Sequence, residues 1–439
     1  MAECSHSSSL RSLLPVTLAA LAVATALAQN DPGSARGSFQ FEPLPAPATC
    51  NTTSGEQPFI LPPGYVQAVI AREGDGGSTD EWDQNTVNET GAHPGTLLYR
   101  AHETAINGQV TVTDLTTGVT RVLAQRPDWN RLDGTVWTPW RTILTGEELR
   151  RGRTPFGPDP AVPQALAGLI YEIDPDTGVA VARPALGAKP HEGIRLDPQG
   201  NVYGISETAP VPVPPAGPGG YILKFVPDRR GDLSSGQLYA LKVIVPTGDR
   251  TGDAIWLPLD RADVQVDADQ AATEAGATGY TRPEDIEIAT DTGNARGGNN
   301  ILWVAVTGEH RVLRVDLREP GAGAGHGSAF VSDYVRAGVN APLDFENPDN
   351  LALDKNGNLY IAEDQDEATG DDIWVAIPDK GNHATAAQTV RFASLQDCVA
   401  EPTGIYFDKS GTILYVNVQH RGGPDRRDLA MIIMEVPKR

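Results

Sequence analysis

The sequence predicts an all-β fold, a six-bladed β-propeller with an axial, acid-lined metal site. Three observations lead there. The 439 residues include 46 Gly and 35 Pro, a surplus of turn formers. From Gly95 onward one hairpin unit recurs along the chain. Acidic residues then return at matching positions of the repeats.

The repeats are plain when aligned. "EGIRLDPQGNVYGISE" (192–207) and "DNLALDKNGNLYIAED" (349–364) share an acid, alternating apolar positions, Asp, a Gly-containing turn, Asn and an aromatic strand. "TGIYFDKSGTILYVNVQ" (403–419) follows with one extra turn residue, and "EDIEIATDTGNARGGNNILWVAVT" (284–307) has a longer turn. "GTLLYRAHE" and "WTPWRTILTGEE" are shortened second halves. Each unit reads as a hairpin turned by Asp/Gly/Asn chemistry, which makes Asp197, Asp354 and Asp408 turn residues. A further strand follows each time: "QVTVTDL", "GLIYEID", "YILKFV", "RVLRVDL", "DIWVAI" and "MIIMEV". Six units of about 45 to 90 residues, each with three or four short strands, are the pattern of a propeller rather than a sandwich.

The remaining segments bound the domain. Residues 1–28 read as a signal peptide: Arg11, the apolar run "LLPVTLAALAVATALA", and Ala26-Leu27-Ala28 before Gln29. Residues 29–57 are an N-terminal extension, and 58–439 a single propeller. "YVQAVIARE" (65–73) is expected to close the ring against the last unit. Residues 249–281 form a long insertion in which "ADQAATEAGA" is a short helix. Cys50 and Cys398 remain after the signal is removed and are expected to pair in an oxidising compartment. The protein is therefore expected to be secreted or periplasmic, monomeric and without a membrane span.

A net charge of −22 excludes a phosphate-backbone partner such as nucleic acid and is compatible with cations. The acids fall in two columns. Glu192, Glu284, Asp349 and Thr403 enter the hairpins; Glu103, Glu148, Glu207, Thr307, Asp364 and Gln419 leave them. In a propeller the innermost strands converge on the axis, so each column becomes a ring. Carboxylates crowded in a partly dry channel need a countercharge. Hard oxygen donors suit Ca²⁺, and the sequence has no His/Cys cluster of the structural zinc type.

These residues resemble a known family. "LYRAHET", "TPWRTILTGEE", "HEGIRLDPQGNVYGISE", "RPEDIEI", "NPDNLALDKNGNLYIAED" and "EPTGIYFDKSGTILYVNVQH" are similar, in the same order, to the motif series of PhoX-type alkaline phosphatases over roughly 58–437. The resemblance implies a six-bladed propeller whose axial calcium and iron ions hold a phosphate ester. It implies ligands at Glu147 or Glu148 in "TGEE", Glu192 in "HEG", Glu284 in "RPE" and Glu401 in "EPTG". Asp349 and Asn350 in "NPDN" join them on the column argument. One departure matters. The family carries iron-ligand cysteines before the Thr-Pro-Trp segment and before the paired glutamates. Here "RLDGTVWTPW" has none and Gly146 stands before the glutamates, which counts against iron and leaves calcium.

Arg282, Arg311 and Arg421 are candidate phosphate contacts, and among His102, His191, His310 and His420 the last is the candidate general acid. No G-x-S-x-G elbow, P-loop or dinucleotide fingerprint occurs. The expected function is an exported calcium-dependent phosphoesterase. The alternatives are a lactonase-type hydrolase and a non-catalytic calcium-binding propeller.

Overall fold

The computed structural model describes residues 41–150, 159–208, 219–290, 300–318, 327–364 and 370–436. The expected signal peptide at 1–28 lies outside them. Among the described residues no helix is long and apolar enough to cross a membrane.

The hairpin turns are built as their chemistry demands. Asp197 Oδ1 accepts the backbone N–H groups of Gln199 and Asn201, both at 2.9 Å. Asp354 accepts those of Asn356 and Asn358 at 2.8 and 2.9 Å, and Asp408 those of Thr412 and Ile413 at 2.8 Å. A carboxylate holding two N–H groups fixes the turn and hence the strand register.

Strands β1 (Phe59–Ile60) and β2 (Tyr65–Arg72) precede a first run of β3 (Trp82–Val87), β4 (Leu97–His102), β5 (Gln109–Asp114) and β6 (Val119–Gln125). The second run is β7 (Leu132–Trp137), β8 (Ile143–Glu147), β9 (Ile170–Ile173) and β10 (Ala180–Ala182). The third is β11 (His191–Leu196), β12 (Val202–Ser206), β13 (Ile222–Arg229) and β14 (Asp232–Pro246), followed by β15 (Gly252–Pro258) and helix α1 (Val264–Ala275). Then come β16 (Pro283–Thr290), β17 (Asn300–Val306), β18 (Arg311–Arg318) and β19 (Ser328–Arg336). The fifth run is β20 (Pro348–Leu353), β21 (Leu359–Glu363), β22 (Asp372–Pro378) and β23 (Ala386–Leu395). The chain ends in β24 (Glu401–Phe407), β25 (Ile413–Gln419) and β26 (Leu429–Glu435).

These strands form five sheets in an all-β, propeller-like fold. The last three strands are completed by β2, which pairs antiparallel with β26. The insertion is more than a loop. Its strand β15 pairs with both β14 and β19, sewing the third and fourth runs into one nine-stranded sheet. Two long outer edges would otherwise stand unpaired. The first strands close a ring: β3 lies beside β7, β7 beside β11, β11 beside β16, β16 beside β20, β20 beside β24, and β24 beside β3.

The core sits between adjacent runs. Tyr203, Ile205 and Ile222 pack with Ile286, Leu302 and Val304, and Tyr360, Val375 and Phe392 with Leu414, Val416 and Met431. Burial on both faces is why the returning strands read as near-continuous apolar runs. Cys50 and Cys398 form the expected disulfide across 348 residues of chain. It pins the N-terminal extension beside β23, where Asn51 N–H also donates to Gln396 O at 2.6 Å. Cys50→Ser is expected to destabilise the fold by about 3 kcal/mol. Thermal melting should show the difference against oxidised wild type and lose it once the wild type is reduced; a variant that melts with oxidised wild type would mean the bridge contributes nothing.

Candidate metal centre

One device builds the centre. In β3, Trp82 pairs with His102 and Asn85 with Arg100, so Asp83 and Gln84 together face one residue of β4. That is a β-bulge, which breaks the in–out alternation of the strand. It recurs at Asp133-Gly134 in β7, Glu192-Gly193 in β11, Glu284-Asp285 in β16 and Asp349-Asn350 in β20. In β24 the bulge follows Thr403, whose hydroxyl donates to Trp82 O at 2.7 Å.

The first residue of each of the five earlier bulges is an acid, and all five line one cavity of about 450 Å³. The second leans on the next strand. A Cβ at Gly134 would stand 1.8 Å from Glu192 O, and one at Gly193 2.0 Å from Asp285 Oδ1, so only glycine fits. At two of the later bulges the second residue is polar and satisfies an N–H that the next bulge frees. Asp285 Oδ2 accepts Leu351 N–H at 2.8 Å, and Asn350 Oδ1 accepts Gly404 N–H. Two residues before four of these acids, Glu81, Arg131, Arg282 and Asn347 have φ of 55°, 45°, 50° and 40°. Left-handed backbone at non-glycine residues is strained by roughly 1–3 kcal/mol each and is typical of functional sites.

A second tier comes from the hairpins' returning strands. Glu103, Glu148, Glu207 and Asp364 directly follow β4, β8, β12 and β21, Gln419 ends β25, and all five line the cavity. Thr307 does not; its hydroxyl donates to Pro348 O at 2.6 Å.

Among the described residues the cavity thus gathers ten carboxylates against three arginines. Each arginine is already engaged. Arg131 Nη1 lies 3.0 Å from Glu103, Arg282 bridges Glu207 at 2.7 Å and Glu284 at 2.6 Å, and Arg150 pairs with Glu207. Among the described residues the carboxylates of the cavity outnumber the cations that face them. Burial, then the neighbouring acids, holds Glu192 and Asp349 well above the ordinary carboxylate range. Asp83, Glu284 and Glu401 are raised in the same way. Desolvation pushes Asp133 up to about 7 and Glu148 to about 10. Ligand atoms of Glu148, Glu192 and Glu207 lie within 4.8 Å of one another.

The candidates read from the sequence separate. Glu148, Glu192, Glu284, Asp349, Glu401 and Arg282 line the cavity. His420 lines an adjoining one, its Nε2 3.5 Å from Glu401. Three others stand elsewhere, and we assign them structural roles. Glu147 accepts the N–H groups of Asn130 and Leu169, both at 3.1 Å. Asn350 is spent on Gly404. Arg311 is buried, donating to Asp249 O at 3.0 Å and Asp333 at 2.8 Å, and it also pairs with Glu309. Arg421 donates to Gly55 O and Arg427 O beside the adjoining cavity. His102, His191 and His310 are held by Thr79 and Thr111, by Lys189 and Gly187, and by Asn347.

A family model for alkaline phosphatase PhoX matches residues 117–336 and 322–422. The chain belongs to the PhoX alkaline phosphatase family. Pseudomonas fluorescens PhoX, solved in complex with vanadate, a transition state analogue, superposes with a TM-score of 0.67 at 18% identity, over 91% of this chain and 98% of that one. A gluconolactonase from Xanthomonas campestris matches at TM-score 0.46 and 14% identity, over 91% and 99% of the two chains.

Within this PhoX-family chain, the donors around the cavity fit a hard cation. All are oxygens, and among the described residues the buried Asp83 Oδ1 and Asp133 Oδ1 have no hydrogen-bond partner. They do not fit a thiolate-held iron. Among the described residues Cys50 and Cys398 are joined to each other, and Asp133 occupies the segment before Thr138-Pro139-Trp140. Asp83, Asp133, Arg131 and Arg150 escaped the sequence reading. The signal was present for the two acids: "WDQ", "LDG", "HEG", "PED" and "PDN" each place an acid between a ring-bearing or apolar residue and a small or polar one.

Proposed function

We infer that the chain is an exported, calcium-dependent phosphoesterase acting at the axis of a six-bladed propeller, each four-strand run counting as one blade. The observation that supports it is a ring of buried and half-buried carboxylates that, among the described residues, outnumber the facing arginines, in a chain of the PhoX family. Asp83, Asp133, Glu148, Glu192, Glu207, Glu284, Asp349 and Glu401 supply the oxygens that would hold calcium. Bound there, calcium would neutralise phosphate oxygens and acidify a coordinated water.

The chain's own groups do the rest. Arg282, held by Glu207 and Glu284, presents its guanidinium at the cavity wall, where it contacts a phosphate oxygen. Arg131 and Arg150 line the same wall. Hydrolysis places a water oxygen on phosphorus and breaks the bond to the leaving oxygen, which needs a proton. His420, half exposed and beside Glu401, is the candidate proton donor in this reading.

Purified protein should contain calcium and hydrolyse 4-nitrophenyl phosphate, with activity removed by chelator and restored by added calcium. Calcium without turnover of phosphomonoester, phosphodiester or lactone would make it a binding propeller. Turnover of the lactone alone would make it a lactonase.

A further inference from the structure

A second cavity, of about 530 Å³, adjoins the axial one and shares Asp364 and Glu401 as a common wall. Its character changes away from that wall. The chain leaves the ring at Gln419 and carries His420, Arg421 and then Arg426 along the second cavity. Arg421 is buried, and among the described residues its Nε has no hydrogen-bond partner. Arg426 is exposed, and among the described residues its guanidinium bonds only a backbone carbonyl, Gly423 O at 3.4 Å. The arginines of the axial cavity, by contrast, are all tied to carboxylates.

We propose that this second cavity receives the leaving group of the ester and selects leaving groups that carry their own negative charge, a carboxylate or a second phosphate. The inference rests on the phosphoesterase reading and deepens it. A phosphate seated at the axis has Asp364 and Glu401 on one side, and the space beyond them is the second cavity. A neutral leaving group would gain nothing from Arg426. An anionic one gains a charge-assisted contact and takes over the free donors of the loop. Arg426 is the specificity residue because it is unpaired by acid and reachable from solvent; it touches no reacting atom.

The test compares three substrates: 4-nitrophenyl phosphate, 3-phosphoglycerate for the carboxylate arm, and glycerol 1,3-bisphosphate for the phosphate arm. Arg426→Ala is expected to lower kcat/KM for one or both anionic substrates by about fivefold, and Arg426→Glu by about tenfold or more. The loss should fall on KM, and Arg426→Lys should recover most of it. All variants should hydrolyse 4-nitrophenyl phosphate within about twofold of wild type. Which anionic substrate responds identifies the charge that the cavity takes. Equal effects on all three substrates, or none, overturn the selectivity and leave the phosphoesterase reading standing. Absence of turnover of every phosphate ester by wild type overturns both.

Discussion

Glu192→Gln is expected to weaken calcium binding by at least about 100-fold and phosphoesterase turnover by a similar factor. Glu192 is buried at the first position of its bulge, and one of its oxygens falls within 4.8 Å of ligand atoms from Glu148 and Glu207. Glutamine keeps the size and one carbonyl oxygen but removes the charge that the cation requires. In chelator the variant should melt no lower than wild type, because a buried repulsion is gone. With calcium it should lose most of the ligand-induced stabilisation, which at 100 times Kd is about 2.7 kcal/mol. Glu147→Gln is the control from the neighbouring glutamate. It would lose an acceptor for Asn130 or Leu169 and about 1–2 kcal/mol of stability, with calcium affinity unchanged. Calorimetric titration with calcium and paired melts separate the two. Equal loss of affinity in both variants would remove Glu192 from the ligand set.

Stability without metal should fall as pH rises, and calcium should cancel the fall. Carboxylates in the unfolded chain titrate near ~4, whereas in the fold Asp133 is pushed up to about 7 and Glu148 to about 10. The folded state therefore holds protons that the unfolded state has released. The stability present below ~4 is lost progressively as pH climbs to about 7 for Asp133 and onward to about 10 for Glu148. Calcium displaces those protons, so its affinity rises over the same window. Melts at pH 5 and pH 9, each with chelator and with calcium, should show a wider calcium-dependent gap at pH 9. Parallel curves would mean that the acids are compensated from within the protein.

Much of the fold and part of the site are legible in the sequence. Asp197, Asp354 and Asp408 announce turns because each bonds N–H groups only two to five residues away. The alternating and continuous apolar runs announce strands buried on both faces, and "YVQAVIARE" pairs with the last strand as expected. Glu287 aligns with Arg195 by repeat, and the two meet at 3.2 Å. Of the second column, Glu103, Glu148, Glu207, Asp364 and Gln419 all reach the cavity.

The misses share a cause. A bulge inserts a residue and shifts the facing of every later residue in its strand, so a period-2 reading fails at the positions that carry the site. Asp83 and Asp133 lie in bulges of units whose first halves lack the Asp/Gly/Asn turn that aligned the others. The adjacent Glu147 and Glu148 differ only in that one ends β8 and bonds backbone while the next enters the cavity. Arg311 is indistinguishable from Arg282 by residue type; one is drawn to Asp333 and the other to Glu207.

By itself the sequence determined the strands, their turns, the repeat and its closure, because those depend on neighbours a few residues apart and on the alternation of buried faces. Only the tertiary structure decided which acids meet, which arginines are already engaged, and where a second cavity opens beside the first. Those outcomes depend on six strands, distant along the chain, packing side by side in a ring around one cavity with a bulge in each.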